Sequence, residues 1–421
     1  MTAVPTSHYL KTRAITGPWQ LAGCADNGFA GAVVIPALAE SATLFATLCS
    51  LAANPAEFLA RYLVIVVVNQ RTDAKLQDKL DNRATLERLA AAEPLLPQIK
   101  LAWVDAASPG LELAAKGGGV GLARKIGADL ALSRLDCQGG DPLLISLDAD
   151  TLVGPDYLAA LARHFGQTQA GGAVIPFRHQ QGSSAKEQQA IDLYELFLRS
   201  YVLGLELAGS PYAFHTVGSA MACRASAYAR MGGMNSRSAG EDFYFLQQLQ
   251  RTAGVARVSG TVVFPSARAS HRVPFGTGRS VSRALAGDDA AISFYRPECF
   301  RVLKDWLALV EQHVELGGTG LCAASRGISA ELGGYLESTG FVAAWEKLRT
   351  NNISAQTLLT AFHGWFDGLR TMKLIHYLSA GAYPRCGPEE AVPELLLWAG
   401  AEPVEGICTQ LRLLQRMQTS P

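Results

Sequence analysis

The run Tyr62-Leu63-Val64-Ile65-Val66-Val67-Val68 constrains this chain more than any other stretch. It is apolar and largely β-branched, so it favours an extended backbone. It also lacks the polar–apolar alternation of a strand with one wet face. Such a strand is buried on both sides, as in a parallel sheet covered by helices. Its surroundings repeat the theme. Gly31 to Ile35 reads as a strand ending at Pro36, followed by a helix from about Ser41, its cap, to Ala53. Lys75 to Ala92 is a charged amphipathic helix, and Ile99 to Val104 is a third strand. A glycine-rich turn at 117–121 opens a helix through about Arg134. Leu143 to Leu147 is the next strand, Tyr157 to Phe165 a helix, and Gly171 to Pro176 a strand. This β-α-β-α rhythm predicts an α/β fold with a mostly parallel central sheet and helices on both faces.

The rhythm then changes. Lys186 to Ala208 reads as one long helix, with Ile191, Tyr194, Phe197, Leu198 and Tyr201 at core-facing spacing. Gly240 to Arg251 is helical and Thr261 to Phe264 a short strand, and beyond about Ser280 only helical periodicity remains. The organisation expected is an N-terminal extension over 1–30, an α/β domain over 31–280 and a mainly helical C-terminal region over 281–421.

Composition narrows the function classes. The 421 residues carry 37 basic and 37 acidic side chains, which argues against nucleic-acid binding driven by phosphate neutralisation. No apolar run approaches the ~20 residues that span a bilayer, and no basic-then-apolar leader is visible. The eight cysteines are scattered without a Cys-x-x-Cys pair, as in a protein with reduced thiols and no zinc site. A cytoplasmic protein is expected, with peripheral membrane contact and oligomerisation left open.

Six places could carry chemistry. The strand Leu143 to Leu147 ends in Asp148-Ala149-Asp150, two carboxylates one residue apart at the edge where open α/β sheets bind ligands. Two hard oxygen donors there suit Mg²⁺ or Mn²⁺ carrying a diphosphate; a solvated turn is the plainer account. Pro36-Ala37-Leu38-Ala39-Glu40 follows the first strand and could hold a base or ribose, although Glu40 could equally be a helix-entry carboxylate. Asn69 ends the second strand and offers both donor and acceptor, to a base or to a turn. Lys116 to Gly127 joins exposed N–H groups to Arg124 and Lys125, a set that suits diphosphate. It lacks the third glycine of a dinucleotide fingerprint, since position 124 is Arg. Finally, Glu241-Asp242 opens a helix, where acids are favoured by the dipole or could serve as a general base. Downstream, His271 lies in a loop with Arg272 and Arg279, able in principle to ligate a metal or hold phosphate.

The order of these parts resembles a family-2-type glycosyltransferase of the GT-A fold, over about Val33 to Gly278. Gly119-Val120-Gly121-Leu122-Ala123-Arg124-Lys125-Ile126-Gly127 resembles the family's Gly-x-x-x-Ala-Arg-Asn-x-Gly helix start, with Lys125 in place of Asn. Asp148-Ala149-Asp150 resembles its Asp-x-Asp motif, and Val217 to Arg224 its acceptor-side segment. Glu241-Asp242 is similar to the pair whose Asp is the base of inverting members. The resemblance implies a nucleotide-sugar donor held by Pro36, Ala37, Glu40, Asn69, Arg124, Lys125 and Asp148. It implies a divalent Mn or Mg on Asp148, Asp150 and His271, and Asp242 with Glu241 as the catalytic acids. It places His215, Gly218 and Ser219 toward an acceptor hydroxyl, on a saccharide or small polar molecule. Asn69 stands where the family usually has Asp, which leaves the base open.

The expectation is a metal-dependent glycosyltransferase working with inversion. The rivals are a non-catalytic nucleotide-sugar sensor or scaffold and, on a related sheet, a nucleotidyltransferase.

Overall fold

The computed structural model describes residues 4–91, 96–237, 239–268, 277–286 and 292–419. Its contacts divide the chain into two units. One comprises Met1–Ser184, Thr216–Arg279 and Gln418–Pro421, the other Ala185–His215 and Ser280–Met417.

The first unit begins with α1 (Val4–Thr12), β1 (Leu21–Gly23), β2 (Gly31–Ala37), α2 (Leu44–Ala52) and α3 (Ala56–Leu59). It continues through β3 (Tyr62–Asn69), α4 (Leu76–Ala90), β4 (Lys100–Ala106) and α5 (Val120–Leu132). Then come β5 (Leu143–Ser146), β6 (Leu152–Val153), α6 (Tyr157–Gln167) and β7 (Gly172–Val174). The long helix α7 (Ala185–Leu207) belongs to the second unit, and the first resumes with β8 (Met221–Arg224), α8 (Ala225–Met231), α9 (Glu241–Ala253), β9 (Val255–Arg257) and β10 (Val263–Phe264).

Eight strands form one sheet in the order β1-β4-β3-β2-β5-β8-β7-β9. The β4-β3-β2-β5 core is parallel, and every residue of β2 and β3 is buried, as the unbroken apolar runs require. The antiparallel members are β1 at one edge and β8, which runs between β5 and β7. Strand β8 and the N-terminal pair α1 and β1 were not expected; the first 30 residues read as irregular.

Strand order reverses between β2 and β5, so a crevice opens at their carboxyl ends. Pro36 marks it. The ladder to β5 stops at Val34↔Ser146, and Leu147 still donates to the Val34 carbonyl at 3.1 Å. Alternate residues of a strand bond to the same side, so Pro36 faces β5 beyond the end of the ladder, where its missing N–H costs nothing.

In the second unit, α7 joins Ile292, Phe294, α10 (Pro297–Gln312) and the helices that follow it to Met417 around one apolar core. Trp306 is fully buried at its centre, edge-on to Phe341 at 5.1 Å and to Phe362 at 5.9 Å. The aromatic stripe of α7 therefore serves packing. Residues 185–215, expected within 31–280, are held by this second core instead, because Leu196, Leu203 and Leu205 bury there.

Candidate active site

Asp148 and Asp150 stand on the lip of the crevice. Leu147 and Ala149 are buried while the two carboxylates are partly exposed, the alternation an extended segment imposes. The backbone is pinned from three directions: Thr47 Oγ1 donates to the Ala149 carbonyl at 3.1 Å, Thr151 N to the Asp148 carbonyl at 3.1 Å, and Gln180 Nε2 to the Asp150 carbonyl at 2.8 Å.

Helix α5 supplies the positive charge. Two glycines let it sit close enough. A methyl at Gly127 would collide with Val34 and Val67 of the sheet, and one at Gly121 with the carbonyls of Asn235 and Arg237. Arg124 then projects inward, 3% exposed, and engages three partners with its planar fork. Nη2 donates to Asp148 Oδ1 at 2.5 Å, Nε to Glu241 Oε1 at 3.2 Å, and Nη1 to Ser146 Oγ. Burial alone would lower its pKa; the charges of Asp148 and Glu241 outweigh that and raise it. Arg124, read from sequence as a phosphate contact, is thus committed to carboxylates of its own chain.

Lys125 points elsewhere. It meets Asp129 Oδ2 at 2.9 Å and the Tyr9 hydroxyl at 2.6 Å, on the face of α5 that receives the N-terminal segment. The same Asp129 accepts from Tyr9 and Tyr228 hydroxyls at 2.8 and 2.7 Å and from Ile15 N at 2.7 Å. Lys125 therefore anchors residues 9–15, away from the side of α5 that reaches Asp148.

Gly240, at φ +68°, turns the chain into α9 and sets Glu241 and Asp242 in its first turn, where the dipole favours acids. The Asp242 carboxylate accepts from Phe243 N at 2.8 Å. Burial and the adjacent Glu241 charge push it up to about 7, only partly opposed by Phe243 N–H and Arg124. The antiparallel pairing Ser146↔Met221 carries residues 218–220 past the end of β5. A methyl at Gly218 would run into Arg124 Nη2, and Asp242 Oδ2 lies within ordinary contact of the same point, 3.7 Å. Ser219 is buried with its hydroxyl unpartnered among the described residues.

Across the crevice, Pro36 and Ala37 end β2 and Glu40 follows, 7% exposed. Asn69 is buried and donates from Nδ2 to the carbonyls of Ala37 and Val67 at 3.2 and 3.1 Å, so its amide shapes this loop. Ala39 adopts φ +52°, a left-handed conformation disfavoured by ~1–2 kcal/mol for a residue with a Cβ. Asn82 Oδ1 holds it there through the Ala39 N–H at 2.8 Å. A residue the sequence did not single out closes this side: Arg268, whose Nη2 reaches both Glu40 Oε1 and Asp150 Oδ2, the latter at 2.9 Å. The antiparallel pair β6–β10 brings it there. That pairing spans more than a hundred residues, so no local pattern announces it.

His215 falls in the second unit and His271 lies outside the described residues. Among the described residues no group of three His, Cys, Asp or Glu side chains is assembled for a metal. Asp148 and Asp150 do present carboxylate oxygens on one lip, the donor type a hard divalent cation takes.

Residues 143–286 match the model of glycosyl transferase family group 2, which covers β5 through α9 and the Asp148, Asp150, Glu241 and Asp242 carboxylates. No protein of curated function matches the sequence. Among solved structures, S. aureus TarS 1-349 in complex with UDP-GlcNAc aligns at 12% identity over 91% of this chain and 90% of that one, with a TM-score of 0.39. The mannosyltransferase PcManGT from Pyrobaculum calidifontis, in complex with GDP-Man and Mn²⁺, aligns at 16% identity over 86% and 93%, with a TM-score of 0.38. A further structure of TarS 1-349 aligns at 15% identity over 56% of this chain, with a TM-score of 0.37; there the chain spans 60% of the other's length.

Proposed function

We propose that this chain, which carries a family 2 glycosyltransferase segment over residues 143–286, moves a sugar from a nucleotide-sugar donor to an acceptor hydroxyl, with a divalent metal and with inversion. The observation that carries the reading is Asp242: a carboxylate raised to about 7, beside the buried Arg124 that grips Asp148. A base poised near the working pH takes a proton from a hydroxyl more effectively than an ordinary carboxylate does.

The parts divide the work. Asp148 and Asp150 would hold a divalent metal, which would supply positive charge against the donor diphosphate. Pro36, Ala37 and the loop shaped by Asn69 receive the nucleoside. Asp242 accepts the proton of the acceptor hydroxyl while that oxygen forms its bond to the anomeric carbon and the bond from that carbon to the diphosphate oxygen breaks. Attack from the face opposite the leaving group inverts the centre. Glu241 neutralises Arg124 and keeps Asp242 high.

The test is thermal stabilisation by UDP- and GDP-sugars, each with and without Mn²⁺ or Mg²⁺, followed by product analysis. A donor that binds the folded state raises the melting temperature by mass action. A metal-dependent rise with one donor, lost in Asp150→Ala, supports the reading. Binding without turnover for any acceptor hydroxyl favours a sugar-nucleotide sensor instead.

A further inference from the structure

Arg268 places a guanidinium between the two lips of the crevice. Its Nη2 touches Glu40, beside the end of β2, and Asp150, at the end of β5, at the same time. Glu40 is nearly buried, and its other oxygen, Oε2, accepts from Thr43 Oγ1 at 2.7 Å, so its carboxylate is held in place. Arg268 is a third exposed and Asp150 a fifth, so the guanidinium end of this bridge lies near solvent and free to exchange partners. A protein cation thus sits on one of the two carboxylate oxygens of Asp150.

We propose that Arg268 is a built-in counter-cation of the donor site, resting on Asp150 when the site is empty and transferring to the donor's diphosphate when a divalent cation takes Asp150. The inference rests on Asp148 and Asp150 being the metal carboxylates. Two cations on one carboxylate lie within a few ångströms of each other and repel, so Arg268 and a metal oppose one another at Asp150. The planar guanidinium suits phosphate oxygens equally well, which gives it a second partner once displaced. Glu40 keeps the arginine on the nucleotide side during the exchange. The consequence is order: metal alone binds against Arg268, whereas metal with a nucleoside diphosphate binds with its help.

The two effects have opposite signs, which separates this role from a structural one. Mn²⁺ binding is measured by the free-ion electron-spin-resonance signal in wild type, Arg268→Ala, Arg268→Lys and Asp150→Ala. Binding of UDP and GDP at saturating Mn²⁺ is measured by calorimetry. A partly exposed ion pair is worth up to ~1 kcal/mol, so Arg268→Ala is expected to bind Mn²⁺ alone about three- to fivefold more tightly. The same variant is expected to bind the nucleoside diphosphate more weakly, by about tenfold, the loss of one charge-assisted contact. Arg268→Lys keeps the charge and is expected to bind Mn²⁺ as wild type does. If Arg268→Ala binds Mn²⁺ no more tightly than wild type while Asp150→Ala loses it, the proposal is overturned and the metal reading stands. If Asp150→Ala still binds Mn²⁺ as wild type does, the metal reading falls first.

Discussion

Arg124 donates to Glu241 at 3.2 Å and leaves Asp242, the next residue along, to the N–H of Phe243. Two carboxylates adjacent in sequence thereby receive opposite treatment. One is neutralised by a buried cation; the other feels burial and its neighbour's charge, and stays protonated to about pH 7.

Replacing Asp242 by Asn is expected to lower kcat by ~10²–10⁴-fold, the usual contribution of a general base. In the wild type, kcat/KM is expected to rise with pH along a limb near 7, and the variant's residual rate is expected to lack that limb. Retention of wild-type turnover in Asp242→Asn is the result that removes Asp242 from the mechanism.

The same carboxyl sets a stability profile. Its ordinary value is 3.8 and the fold raises it to about 7. Between those limits the folded chain keeps a proton that the unfolded chain has lost. Stability therefore falls as pH rises through that window and stays lowered above it. Asp242→Asn removes the effect, so its melting temperature is expected to match wild type near pH 4 and exceed it at pH 8. Scanning calorimetry at the two pH values checks the sign.

Arg124→Met removes the charge partner that a buried Glu241 and Asp148 share. Leaving a buried carboxylate uncompensated costs ~3–5 kcal/mol, read as a shift of the urea midpoint. Arg124→Met combined with Glu241→Gln is expected to recover most of that loss, since no buried charge is then stranded. Failure of the double variant to recover would point to packing around Ser146 in place of charge.

Gly218→Ala puts a methyl where Arg124 Nη2 lies. Displacing the guanidinium from Asp148 is expected to reduce activity far more than stability, because residues 217–219 form no strand. Gly127→Ala is the contrast. Its methyl meets Val34 and Val67 in the sheet, so the loss expected is in stability, ~1–3 kcal/mol.

Some of this was legible before any coordinates. The unbroken apolar run of β3 announced a doubly covered parallel sheet, and the abrupt change from Leu147 to Asp148 located the carboxyl edge of β5, because both signals are local. The glycine-rich turn at 117–121 marked the start of the helix that is α5, while the close packing at Gly121 and Gly127 showed only in the structure. The partners of those residues were not legible. Arg124 read as a phosphate ligand because sequence shows its charge and not the carboxylates of Glu241 and Asp148, 117 and 24 residues away. Arg268 carried no signal at all, since only the β6–β10 pairing brings it to Asp150. Helix α1 was missed because its sequence is weakly amphipathic; Tyr9 and the Ile15 N–H are held through Asp129, more than a hundred residues on.

Asp129 also bears on the order in which the molecule comes together. It gathers Tyr9, Ile15, Lys125 and Tyr228, so the contacts of residues 9–15 are complete only once α8 has joined α5. Docking of residues 9–15 therefore waits on contacts distant in sequence. A fusion or trimming there reaches α5, and through α5 the arginine at the heart of the crevice.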